Sequence, residues 1–85
     1  MANEPYQIDI HQTVLQVLLP LPAVLAIELR NTIASLGSNQ YPEGYRTVEG
    51  SADTYEITVG FFRVVYQVQQ EQKRIKVAMV NLRIK

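Results

Sequence analysis

The sequence predicts a two-layer α+β domain, in which an antiparallel sheet of about four strands, ordered β-α-α-β-β-β, carries a helical hairpin on one face. Three observations lead there. A period-two segment lies near the N-terminus, a leucine- and valine-rich stretch of helical period follows it, and three further period-two segments come after. Eighty-five residues suffice for a single domain, residues 1–85. With 47% hydrophobic and 19% charged residues, the composition lies outside the disordered class.

Tyr6, Ile8 and Ile10 alternate with Gln7 and Asp9, the mark of a half-buried strand. From His11 the period changes: Val14, Leu15, Val17, Leu18 and Leu19 suit a short helix ended by Pro20. Pro22 opens a second helix, where its missing N–H costs nothing. This helix extends to about Leu36, with Leu25, Leu29, Ile33 and Leu36 on one face and Gly37 expected as a left-handed cap. Residues 37–53 carry turn chemistry without a sustained period, and so long a connection in a small domain points to function or partial order. Thr54–Val59 then turns Tyr55, Ile57 and Val59 to one side and Glu56 and Thr58 to the other. Phe61–Gln69 sends Phe62, Val64, Tyr66 and Val68 inward and Arg63, Val65 and Gln67 outward. Arg74–Ile84 places Ile75, Val77 and Met79 together. Gly60 bends the first of these strands into the second, and Gln70–Lys73 makes the last two a hairpin.

Several chemistries are excluded. The absence of cysteine removes disulfides, thiolate zinc sites and a thiol nucleophile, and a single histidine, His11, rules out a multi-histidine metal site. The acidic residues lack metal-ligand spacing, and the glycines are scattered at turns instead of forming a phosphate loop. No metal or cofactor is expected. The N-terminus lacks the basic and apolar regions of a secretory signal. The apolar stretch from Val14 to Leu29 is too short to span a bilayer, so a cytoplasmic protein without membrane contact is expected.

The formal net charge of zero is a cancellation. Residues 1–60 hold two basic against seven acidic side chains, and residues 61–85 hold six basic against one acidic. A basic second half can meet phosphates, or can be a solvated edge. Arg63 has the same two readings: a cross-strand partner for Glu56, or a planar fork presented to a phosphate. Arg46, Arg83 and Lys85 would complete a cationic cluster with it if the fold brings them round. His11 reads as a helix-start residue, and Tyr41 and Tyr45 either stack bases or pack over the sheet edge.

The run from Tyr55 to Val68, YEITVGFFRVVYQV, resembles the signature of the RelE/ParE toxin superfamily, in which a Tyr-x-Ile-x strand and a glycine turn precede aromatic-Arg-Val-Val/Ile-Tyr-x-Val. Pro42 to Gly50 is similar to the family's Pro-x-Gly-x-Lys-x-Leu-x-Gly loop, and the strand-helix-helix entry also fits. The resemblance implies the toxin half of a toxin–antitoxin pair, with the first strand beside the last. In the RelE branch it further implies a ribosome-dependent mRNA endoribonuclease that inhibits translation. Arg63 and Arg83 are then the catalytic cations that stabilise charge as a 2′-hydroxyl attacks the scissile phosphate. Arg46 and Lys85 are RNA-binding, and Glu56 or Glu43 is the candidate general base. The ParE branch implies instead a toxin that binds DNA gyrase, with Arg63 structural. A third reading is a degenerate toxin that retains only antitoxin binding.

The chain departs from the well-known nucleases in two ways. Glu56 and Thr58 stand where those enzymes carry two lysines, and the sequence stops at Lys85, before their terminal tyrosine. The expected partners are a cognate antitoxin, the ribosome and mRNA. Val14–Ile27 is more apolar than a hairpin over one sheet face requires, which suits an antitoxin segment or a homodimer contact.

Overall fold

The computed structural model describes residues 4–82, in which the alternating segments form a five-stranded sheet covered on one face by two helices. Strand β1 (Gln7–Ile10) leads into α1 (Gln12–Leu18) and α2 (Ala23–Ser35), followed by β2 (Arg46–Thr47), β3 (Thr54–Val59), β4 (Phe62–Gln69) and β5 (Arg74–Leu82). The strand order is β1-β5-β4-β3-β2.

The two-layer α+β class holds, with two differences that have one cause. The loop after α2 contains the extra strand β2, paired with β3, and β1 lies parallel to β5, so the sheet is mixed. Where each connection reverses the chain, one added strand between the helices and β3 changes the parity of every later strand. β5 therefore arrives beside β1 in the same direction.

The core lies between helices and sheet. Val14 and Leu18 of α1, with Leu29 and Ile33 of α2 and Leu36 after it, meet the inward row of β3 and β4 that the alternation predicts. Each such side chain contributes about 1.5–3 kcal/mol when fully buried. Tyr66 is fully buried and its hydroxyl donates to the Gln40 carbonyl at 2.8 Å, tying β4 to the loop after α2. Leu25, expected on the inner face of α2, is exposed instead.

In β5 the simple alternation fails. Ile75 and Val77 are buried, but Met79 is exposed and Val80 is buried. The register explains this: Tyr66 pairs with Val77 and Val65 with Met79, so Ala78 is an unpaired extra residue. Such a β-bulge exchanges the faces of everything after it. It turns the Asn81 amide, which strict alternation would aim at the helices, onto the open face.

Gly37 is also a glycine for a different reason from the one expected. It is not among the described glycines with positive φ. The Tyr6 N–H donates to its carbonyl at 2.8 Å, and a Cβ there would stand 2.9 Å from the Tyr6 carbonyl oxygen. Close approach of the Tyr6 backbone, just before β1, and not a left-handed cap, requires glycine at this position. His11 takes the helix-start role, its Nδ1 accepting from the Thr13 N–H at 3.1 Å.

Candidate functional site

The sheet face opposite the helices collects the sequence-predicted polar residues in cross-strand rows. Arg46 stands opposite Glu56, Glu56 opposite Val65, and Val65 opposite Met79. The adjacent row runs Thr58, Arg63, Asn81. Arg63 reaches diagonally to Glu56, with Nη1 and Oε1 3.5 Å apart and their side chains 41% and 22% exposed. The cross-strand pairing of Arg63 is thus realised, in a contact too loose to hold the guanidinium strongly. Exposed ion pairs are worth about 0–1 kcal/mol, so Arg63 remains available to a competing anion.

Arg46, Glu56 and Arg63 therefore share one face. Glu43 does not join them: it is exposed in a turn closed by the Tyr45 N–H donating to the Pro42 carbonyl, and its side chain makes no ion pair among the described residues. Arg83 and Lys85 lie outside the described residues. Asn81 was not among the sequence-predicted site residues. The sequence marks it by an amide in a position that strict alternation would bury, and by asparagine where the resembled family usually has glycine.

The opposite charges of the two halves meet across the strands. Arg63 faces Glu56, Arg74 Nη1 donates to Asp9 Oδ2 at 2.9 Å, and Lys73 lies 3.9 Å from Glu4. All three pairs join a cation of the second half to a carboxylate of the first. Among the described residues, Arg30, Arg46 and Lys76 make no ion pair.

The loop tyrosines pack over the sheet edge. Tyr41, Tyr45 and Tyr55 form a triangle with ring centroids 5.2–5.7 Å apart, and Tyr55 lies 5.9 Å from Tyr66. Burial, then the neighbouring tyrosines, pushes the Tyr66 hydroxyl up to about 12; burial, then a hydrogen bond with Tyr41, raises Tyr55 as well. A polar cleft of about 490 Å³ opens beside Tyr41, Asp53, Tyr55 and the Gln67–Gln72 segment, but none of Arg46, Glu43, Glu56 and Arg63 lines it.

On the helical side, Val14 and Leu18 are buried, whereas Leu19, Val24 and Ile27 are 74%, 76% and 57% exposed. The apolar Val14–Ile27 segment is therefore only partly consumed by the core. No group of described residues is arranged to hold a metal ion, and no described helix is long and apolar enough to cross a membrane.

A mixed five-stranded sheet, helices on one face and a polar, arginine-bearing opposite face define a compact class of domain. No protein-family model and no curated protein matches the chain. Solved structures do. A chain of the archaeal RelE–RelB complex from Pyrococcus horikoshii OT3 is 26% identical, with a TM-score of 0.83 covering 93% of this chain and 96% of that one. The isolated E. coli RelE toxin superposes with a TM-score of 0.79 at 22% identity, covering 94% and 86%. The RelBE2 toxin–antitoxin complex of Mycobacterium tuberculosis gives 0.78 at 18% identity, covering 93% and 99%. By its fold, the chain is a member of the RelE-like toxin superfamily.

Proposed function

We propose that the chain is the toxin of a toxin–antitoxin pair and cleaves mRNA on the ribosome, in the cytoplasm. The observation that supports this most is Arg63, half-exposed on the open face of a sheet shared over nearly the whole chain with RelE. In the proposed reaction a ribose 2′-hydroxyl attacks the adjacent phosphorus. The new O–P bond displaces the 5′-oxygen of the next nucleotide, leaving a cyclic phosphate. Arg63 and Arg83 stabilise the charge that develops on the phosphoryl oxygens, and such preorganised donors are often the largest catalytic contribution. Arg46 and Lys85 hold the neighbouring backbone. The hydroxyl proton goes to the Glu56 carboxylate, the one of the two candidate bases that stands beside Arg63, and the leaving oxygen takes a proton from water. An antitoxin segment covering Leu19, Val24 and Ile27 keeps the toxin silent; a homodimer through the same face is the alternative, separated by the mass of the isolated chain in solution.

The Glu56–Arg63 contact favours a second reading, a gyrase-binding or catalytically weak toxin in which Arg63 only braces the sheet. Primer extension on mRNA in a translating extract, comparing wild type with Arg63→Ala, tests the first. Ribosome-dependent cuts that vanish in the variant support it. Intact mRNA rejects it, and a gyrase supercoiling assay then separates the other two.

A further inference from the structure

Asn81 is placed oddly for a structural amide. The bulge at Ala78 turns it onto the open face directly opposite Arg63. Its Oδ1 is buried with no hydrogen-bond partner, and its Nδ2 has only the Met79 sulfur at 3.2 Å. Most buried polar atoms in folded proteins are satisfied, so an orphaned acceptor calls for a ligand or a cost. An apolar residue would avoid that cost. A side chain that is poorly satisfied in the free protein, next to the arginine assigned to phosphate, has the character of a group waiting for a partner.

We propose that Asn81 contacts the substrate: a change of side-chain rotamer, which gives up only the Met79 sulfur contact, brings its buried amide oxygen out to accept a hydrogen bond from the ribose 2′-hydroxyl next to the phosphate held by Arg63. The assignment rests on the nuclease reading and adds a role that reading does not contain. Neighbouring strands separate facing side chains by about 4.5–5.5 Å at Cβ. That spacing suits two groups that grip adjacent atoms of one nucleotide. The amide is neutral and takes no proton; it orients the hydroxyl. The 2′-hydroxyl is also the group that distinguishes RNA from DNA at a given site. A DNA strand would leave Oδ1 as unpaired as it is in the free protein, so only RNA gains the hydrogen bond.

The test uses the full chain, wild type and Asn81→Ala, with three readouts: cleavage in the translating extract, binding of a short single-stranded RNA and of its DNA counterpart, and thermal unfolding. Wild type should prefer RNA by about tenfold or more, the effect of one hydrogen bond of roughly 1.4 kcal/mol. Asn81→Ala should slow cleavage and bring the two affinities within about threefold, mostly by weakening RNA. Its melting temperature should stay level or rise, because the truncation removes an orphaned acceptor. A wild type that cleaves while Asn81→Ala keeps the full RNA preference overturns the assignment alone. So does a variant that loses activity together with melting temperature while its preference is unchanged. A wild type that leaves mRNA intact overturns the nuclease reading and this assignment with it.

Discussion

Glu56→Gln removes one charge from the open face while keeping the shape of the side chain, and its effect is calculable from the geometry. The Glu56 carboxylate stands 3.5 Å from the Arg63 guanidinium, so a phosphate held on the far side of Arg63 lies at about twice that distance. Two unit charges roughly 7 Å apart repel by about 0.6 kcal/mol in bulk water and about 2.4 kcal/mol at an effective dielectric constant near 20. The half-exposed position of the pair favours the lower part of that interval, about 1 kcal/mol, with little to add for the pair itself. RNA affinity should therefore rise roughly fivefold in Glu56→Gln at low ionic strength, and the gain should shrink as salt screens the charges. Fluorescence anisotropy with a labelled RNA across a salt series measures both. Glu56→Lys, which reverses the charge, should exceed the glutamine variant in RNA affinity. A salt-independent affinity equal to wild type would refute the electrostatic argument. Tighter binding with lost cleavage would assign Glu56 as the general base.

Two further predictions concern the frame that carries the site. Tyr66→Phe removes the hydrogen bond to the Gln40 carbonyl at the start of the tyrosine-bearing loop and should cost about 1–2 kcal/mol in urea unfolding. Because folding raises the Tyr66 hydroxyl to about 12, with burial the main cause, its contribution is complete below pH 10 and is lost as pH rises through about 12; Tyr66→Phe should flatten that alkaline loss. Gly37→Ala drives a Cβ to within 2.9 Å of the Tyr6 carbonyl and should destabilise by about 1–3 kcal/mol, lowering the melting temperature by about 4–8 °C for each of them.

The elements most legible in the sequence are those in which one rule acts alone. β3 and β4 alternate without interruption, so their inward rows and the outward Arg63 follow from side-chain period. β5 obeys the same rule only as far as Val77; beyond it Ala78 shifts the register, and an alanine fits either face too well to announce a bulge. β2 is two residues long, too short to show any period, yet its presence decides the direction of β5 relative to β1. Gly37 was recognisable as a special position, but the neighbour that makes it special is Tyr6, 31 residues away, and no local pattern carries that contact. The Glu56–Arg63 contact was one of two readings, since strand period puts both on one face without saying whether the charges touch.

The parallel pairing of β1 with β5 also sets when the protein can exist as a fold. Gln7 finds its sheet neighbour in Arg74, 67 residues later. Non-local strand pairing of this kind is closed late and slowly. During synthesis, which proceeds from the N-terminus, β1 has nowhere to dock until β5 has been made, and Arg63 stands on a sheet with one neighbouring strand missing. A chain that stops short of β5 therefore lacks the strand that joins β1 to β4, and assembly of the sheet is timed by the last strand to be produced.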